Sequence, residues 1–129
     1  MRRRDFIVGM AGSAGAWPLT ARAQQLTTKV PVVGVLWHAG SAEEEDVYRS
    51  PLQKAFNDLG YTEGKNIHLE HRFHAENPDR FRAFAQELVD LKPDVIIAVT
   101  TRGAIDVKKL TRTIPIVFVL VADPFGAGL

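Results

Sequence analysis

Two threonines and an arginine stand together where an anion could bind. Thr100 and Thr101 follow an apolar run and open a stretch with helical periodicity, and Arg102 comes next. The first turn of a helix has backbone N–H groups with no partner inside the helix, and these bind carboxylate or phosphate. Arg102 could add a charge-assisted contact. Simple capping of the helix by the two hydroxyl groups explains the pair equally well and is compatible with an anion site.

Three histidines, His68, His71 and His74, are spaced three residues apart. Steps of three along a strand place neighbours on opposite faces, so these rings cannot converge on one metal ion. The chain has no cysteine, which excludes disulfides, thiolate metal sites and a cysteine nucleophile. Residues 24–129 contain no P-loop, dinucleotide-binding or G-x-S-x-G motif. We therefore expect neither a metal nor a cofactor.

The strands that must position these residues are predicted from four apolar patterns. Residues 30–37, 94–99 and 114–121 are nearly continuous apolar runs, typical of strands buried on both faces. Residues 67–73 alternate between apolar and polar side chains, which indicates a strand with one wet face or an edge strand.

Three helices are predicted between the strands. The acidic run 43–46 is interpreted as the solvated start of the first helix, and Asn77–Pro78 is a strong start for the second. The third begins at the two threonines and runs to about Leu110. The apolar face of the first helix consists of Leu52, Ala55, Phe56 and Leu59, and Gly60 is predicted to cap its C-terminus. The apolar face of the second helix consists of Phe81, Phe84, Ala85, Leu88 and Leu91.

Strands that alternate with helices predict an α/β fold with a doubly wound parallel sheet. With the alternating strand at the edge, the strand order would be 2-1-3-4. Ligands of such sheets bind outside the carboxyl ends of the strands, at the switch point between strands 1 and 3. The four loops at those ends carry, in order, His38, Gly40 and Ser41; His74 and Glu76; Thr100, Thr101 and Arg102; and Asp123.

Residues 1–23 have the anatomy of an export signal. Three arginines precede a weakly apolar, glycine-rich run, and Ala21-Arg22-Ala23 forms a small-x-small cleavage site. The Arg3-Arg4-x-Phe6 core predicts a twin-arginine signal peptide, hence the twin-arginine translocase and signal peptidase as partners. A basic N-terminus that happens to precede an apolar stretch is the plainer alternative.

The predicted mature chain, residues 24–129, forms one small domain. The full chain has 16 Lys+Arg and 15 Asp+Glu; the signal holds four of the basic residues and one acidic residue, which leaves 12 and 14, a net charge of −2. Because no basic stripe is present, we expect no nucleic-acid partner.

The chain resembles the ABC-transporter substrate-binding proteins of the tryptophan/tyrosine-transporter-like type, over nearly all of its length. The motifs that carry the resemblance are Arg3-Arg4-Asp5-Phe6-Ile7, Ala16-Trp17-Pro18-Leu19, Ala21-Arg22-Ala23-Gln24-Gln25, Val32-Val33-Gly34-Val35-Leu36, Leu59-Gly60-Tyr61-x-Glu63-Gly64-x-Asn66, Pro93-Asp94-Val95-Ile96 and Thr113-Ile114-Pro115-Ile116-Val117-Phe118.

The resemblance implies a periplasmic binding protein of type I, with a flavodoxin-like N-terminal lobe of which residues 24–129 are an incomplete part. It implies a small-molecule solute held in a cleft between two lobes and an inner-membrane ABC permease as partner. Carried over by position, the ligand-binding residues are Ser41, Thr100, Thr101 and Asp123. Arg102 departs from the family pattern of small residues there and could occlude the pocket.

Two other interpretations stay open at this point. The chain could be a truncated product of that family without independent function, in which strand 4 would be an exposed apolar edge prone to aggregation. It could also be a small flavodoxin-like enzyme with Asp123 or His38 as the catalytic residue, which the fold alone permits.

Overall fold

The computed structural model describes residues 29–129, so the predicted signal peptide lies outside the described residues. Strands and helices alternate in these residues, as the sequence predicts. The elements are β1 (Val32–Trp37), α1 (Asp46–Asp58), β2 (His68–Phe73), α2 (Pro78–Asp90), β3 (Val95–Val99), α3 (Thr100–Leu110) and β4 (Ile116–Val119).

All strand pairs of the four-stranded sheet are parallel, and the order is β2-β1-β3-β4. This confirms the α/β class and the predicted order. Val35 of β1 lies opposite His71 on one side and Ile97 on the other. Asp94 fixes the β1–β3 register because its Oδ2 accepts the Val32 N–H at 2.8 Å, while its own N–H donates to the Val32 carbonyl.

The helices cover the two faces of the sheet unequally. Helices α2 and α3 pack on one face, where Leu36 of β1 and Ile96 of β3 are completely buried beneath them. The opposite face buries Val35, Trp37 and their neighbours, with Leu52 and Phe56 of α1 packed against them. Asn77 caps α2 as predicted, since its side chain accepts the N–H groups of Asp79 and Arg80.

Several predicted details are wrong. Strand β1 begins at Val32 and not at Val30, which lies outside the sheet and is exposed. Leu91, predicted on the buried face of α2, lies at its C-cap and is 48% exposed. Strand β4 ends at Val119, since Leu120 has a left-handed φ of 56°, and the strand is mostly exposed rather than buried. Its sequence suits two neighbouring strands, but within the described residues it pairs with β3 alone.

Gly34 allows α2 to lie close against β1. A Cβ atom built on Gly34 would be 3.1 Å from Leu88 Cδ2 and 3.5 Å from Ile96 Cγ1. A glycine within a strand often marks such a close approach of another element. Gly103 of α3 faces the same core, but a Cβ atom there would be at an ordinary 3.5 Å from Leu36 Cδ2.

We expect Gly34→Val to lower the free energy of unfolding by about 1–3 kcal/mol, because the added methyl groups overpack the β1–α2 contact. Gly103→Ala is the matched control; it should be neutral or stabilising by up to about 1 kcal/mol, because alanine favours the helix and meets no clash. Urea unfolding measures both. Equal midpoints for Gly34→Val and the parent protein would contradict the close packing.

Candidate functional site

Strand β3 passes into α3 without an intervening loop, and Thr100 makes the turn. Its φ is 70°, a left-handed conformation that is strained for a β-branched residue. The N-cap of α3 is Val99, and no side chain caps the helix, so the predicted capping by Thr100 and Thr101 is wrong. The strained turn leaves the first N–H groups of α3 without a side-chain acceptor, at the carboxyl edge of the sheet.

Arg102 is already paired with a carboxylate of its own helix, so it is not free to bind an anion as predicted. Its Nε donates to Asp106 Oδ2 at 2.9 Å, one helical turn further along α3, and its guanidinium lies 5.9 Å from the centre of the Phe81 ring. Asp106 is a buried carboxylate, so it needs this partner. Arg102 therefore contacts α2 from the first turn of α3.

Ser41 lies in the loop between β1 and α1, which is organised by a buried carboxylate. Glu45 is completely buried, and its Oε1 accepts the N–H groups of His38 at 2.9 Å and Ala39 at 2.7 Å. The ring atom His38 Nδ1 lies 2.7 Å from the same oxygen. Ser41 accepts the Glu44 N–H through Oγ at 3.3 Å. The acidic run is thus not simply a solvated helix start.

Asp123 lies beyond β4 and is exposed. Its Oδ1 accepts the Gly126 N–H at 2.9 Å, and its carbonyl accepts the Ala127 N–H. The side chain therefore stabilises its own turn, which is the usual role of an aspartate there.

The topology brings the four predicted residues to one edge of the sheet. Strands β1, β3 and β4 are successive neighbours, so the loops that carry Ser41, Thr100 and Asp123 leave the sheet on the same side. Two cavities of about 330 Å³ each lie at this edge. One is polar and is lined by His38, Ala39, Gly40, Glu44, Ala75 and Glu76. The other is apolar and is lined by Trp37, Tyr48, Pro51, Leu52, Ile97, Val99, Val119 and Leu120.

His74 is a buried polar group beside the polar cavity. Its Nδ1 accepts the Glu76 N–H at 3.0 Å, and Ala75 and Glu76 both have left-handed φ values of 53°. Burial, reinforced by the nearby charge of His38 and opposed by Asp106, lowers the pKa of His74 from 6.5 to about 4. Among residues 29–129, three buried side-chain atoms make no hydrogen bond: His74 Nε2, Glu45 Oε2 and His38 Nδ1, the last of which lies 2.7 Å from Glu45 Oε1.

Sequence reasoning missed Glu45, Trp37 and Tyr48 as residues of this edge. Burial of Glu45 follows from contacts with the strand end, which the acidic run does not reveal. Trp37 was visible only as the last apolar residue of β1. The three regularly spaced histidines do not converge: His68 is the exposed first residue of β2, whereas His74 is buried directly after the other end of the strand. No group of three possible metal ligands occurs in residues 29–129.

A family model described as "ABC transporter substrate binding protein" matches residues 29–129. The chain belongs to this family. Its members are substrate-binding proteins and not enzymes, they bind small solutes and work with membrane permeases, and they are typically periplasmic or extracellular. Within residues 29–129, no helix is long and apolar enough to cross a membrane.

Individual relatives agree with the family. A tyrosine-binding protein of Clostridioides difficile is 34% identical over 76 residues, 59% of this chain and 22% of that protein. A conserved domain protein of Vibrio cholerae has a TM-score of 0.71 at 34% identity. A ligand-free, open substrate-binding protein with adhesive properties from Clostridium difficile has a TM-score of 0.70 at 27% identity.

A more distant structure shows the same fold. An ABC domain from Streptococcus pneumoniae, solved with L-Trp, has a TM-score of 0.70 at 19% identity. In each of the three solved structures, the match covers 78% of this chain and 34% of the other. The chain thus spans about a third of the length of these solved relatives and 22% of the curated one.

We expect the stability of the protein to depend on pH through His74. The unfolded chain binds a proton near pH 6.5, whereas the folded protein resists it down to about pH 4. The stabilisation is therefore complete above the unfolded value and is lost as the pH falls toward about 4. His74→Asn keeps an acceptor for the Glu76 N–H but does not titrate, so it should flatten the pH dependence in this window. The measurement is the urea midpoint of unfolding as a function of pH. If the midpoint changes equally with pH in the parent and in His74→Asn, His74 does not have this role.

Proposed function

We propose that this protein is the periplasmic solute-binding component of an ABC importer. The solute lies in a cleft between two lobes, one wall of which is the carboxyl edge of this sheet. The observation that carries the proposal is the open first turn of α3, placed at this edge by the strained Thr100 in a chain of the substrate-binding family. The match covers only 34% of each solved relative, so in those proteins the rest of the chain is available to form the second wall of such a cleft.

The proposed contacts are Ser41, Thr100, Thr101 and Asp123. The N–H groups and hydroxyls of the two threonines bind a carboxylate of the solute, as helix N-termini do for anions. Ser41 and Asp123 each keep a polar atom near the same edge while stabilising their own turns. Arg102 acts indirectly: its bond to Asp106 fixes its side chain within α3, and its guanidinium contacts the Phe81 ring of α2.

The solute we propose is a small molecule with a carboxylate, of which an amino acid is the best example. The relative that is 34% identical is a tyrosine-binding protein, which makes L-tyrosine the first probe. The apolar cavity with Trp37 and Tyr48 is available for an apolar part of such a solute. Closure of the two lobes around the solute would then present the closed form to a permease.

We expect Thr100→Ala combined with Thr101→Ala to weaken the binding of L-tyrosine by the full-length protein by about 1–3 kcal/mol. The reason is that a carboxylate buried in the cleft loses hydrogen-bond donors. Thr113→Ala, an exposed threonine beyond the far end of α3, is the matched control and should bind as the parent does. Calorimetry measures all three proteins. Parent affinity in the double variant would rule out this site.

We also propose that residues 1–23 direct export through the twin-arginine translocase and that signal peptidase cleaves after Ala23. Replacing Arg3 and Arg4 together by lysine should leave the uncleaved precursor in the cytoplasm, because the translocase recognises the arginine pair. Arg2→Lys, one position earlier, should be exported normally. Fractionation and N-terminal sequencing give the result, and unchanged periplasmic delivery of the double variant would contradict this route.

A further inference from the structure

Three rings are packed nearly parallel on the α1 side of the sheet. Trp37, the last residue of β1, lies beside both His71 and Phe73 of β2, whose ring centres are themselves 6.2 Å apart. The centre of its ring is 6.4 Å from that of Phe73 at an angle of 8°, and 6.1 Å from that of His71 at 24°. Trp37 is only 2% exposed. The indole therefore lies across the neighbouring strand, and its orientation depends on what it contacts there.

A hydrogen bond fixes that orientation. Trp37 Nε1 donates to His71 Nδ1 at 2.9 Å. An indole N–H can only donate, so His71 Nδ1 must have a free lone pair and the ring must be neutral, with its proton on Nε2. Protonation of Nδ1 would place two N–H groups against each other and leave the buried indole N–H without an acceptor.

A third cavity, separate from the two at the carboxyl edge, gives solvent a route to His71. It has a volume of about 210 Å³ and is lined by Arg49, Leu52, Gln53, Glu63, Leu69 and His71. Because Arg49, Gln53, Glu63 and His71 place polar groups in its wall, a cavity of this size can hold water and so deliver a proton.

The charged groups around His71 come from α1, from the turn before β2 and from β2 itself, whereas β1 contacts it through uncharged residues. Arg49 belongs to α1, Glu63 to the turn before β2, and Glu70 and Arg72 to β2 itself. The two cations and two anions act on the imidazole in opposite directions, and burial is the larger effect, which lowers the pKa of His71 below 6.5. Neutral His71 is thus the resting form near neutral pH.

The opposite side of the indole faces the candidate site. Trp37 forms part of the wall of the apolar cavity, together with Tyr48, Val99 and Leu120. The residue after Trp37 is His38, which begins the loop to Ser41, and the residue after Val99 is Thr100. A rotation of the indole would change the shape of the cavity and disturb the start of this loop.

We propose that His71 is the positioning residue of Trp37, and that protonation of His71 releases the indole and thereby lowers the affinity of the adjacent site for its solute. The part that concerns solute rests on the function proposed above. The part that concerns the ring does not, because the indole can be observed without any solute.

The test of the ring uses the fluorescence of Trp37. The chain has two tryptophans, Trp17 and Trp37, so Trp17→Phe in the full chain leaves Trp37 as the only reporter. We expect its emission to shift to longer wavelength, and its quenching by acrylamide to rise, in one transition centred below pH 6.5 as the pH is lowered. Added to Trp17→Phe, His71→Asn should abolish the transition because it cannot be protonated.

Two further variants separate positioning from a general effect of pH. His71→Leu removes the acceptor and should give the low-pH emission at every pH. His68→Asn changes an exposed histidine on the other face of β2 and should keep the transition. A transition that persists in His71→Asn, or parent-like emission in His71→Leu at high pH, would overturn the proposal; the first comparison holds even if the leucine variant does not fold.

The test of the site uses L-tyrosine as the probe, by calorimetry at the two ends of the transition. We expect the Trp17→Phe protein to lose at least about fivefold in affinity at the low pH, and the protein that also carries His71→Asn to show no such loss. An equal loss in both would overturn the link between His71 and the site. Absence of binding at either pH would contradict the proposed function and this link together, while the fluorescence still decides the role of the ring.

Discussion

The parallel pairing of β1 with a strand on each side is the constraint on which the rest of the structure depends. Residues Val32 to Trp37 pair with β2 along their full length and with β3 from Val33 to Leu36. Parallel neighbours can be joined only by crossovers, and their right-handed sense places α1 on one face and α2 on the other. Every loop that could contact a solute consequently leaves the sheet at its carboxyl edge.

Two buried polar side chains at the carboxyl edge of the sheet use only part of their hydrogen-bonding capacity. Glu45 is buried and tied by one oxygen to the backbone of the β1–α1 loop, and His74 is buried and tied by one nitrogen to the Glu76 N–H. Each keeps a second polar atom without a partner among residues 29–129. Buried groups are normally fully bonded, so these exceptions, together with the strained Thr100, distinguish the edge that we propose as the binding site.

Strand β4 shows how sequence and surroundings can disagree. Its residues are apolar on both faces, yet Val117 is 50% exposed and Phe118 is 40% exposed, because within the described residues β3 is its sole partner strand. An apolar edge of this kind favours association with other strands. The solved relatives are about three times as long as the matched portion, so their additional length is available to cover the corresponding edge.

The sequence by itself determined the elements, their order and the family, because these depend on local periodicity and on short motifs. The alternation in β2, the Asn77 cap and the continuous apolar run of β3 are patterns of neighbouring residues. Tertiary structure alone decided the use of individual polar groups. Arg102 binds Asp106, Glu45 is buried, and Trp37 bonds to His71, 34 residues away. Burial and long-range hydrogen bonds depend on which elements meet in space, and no local pattern encodes that meeting.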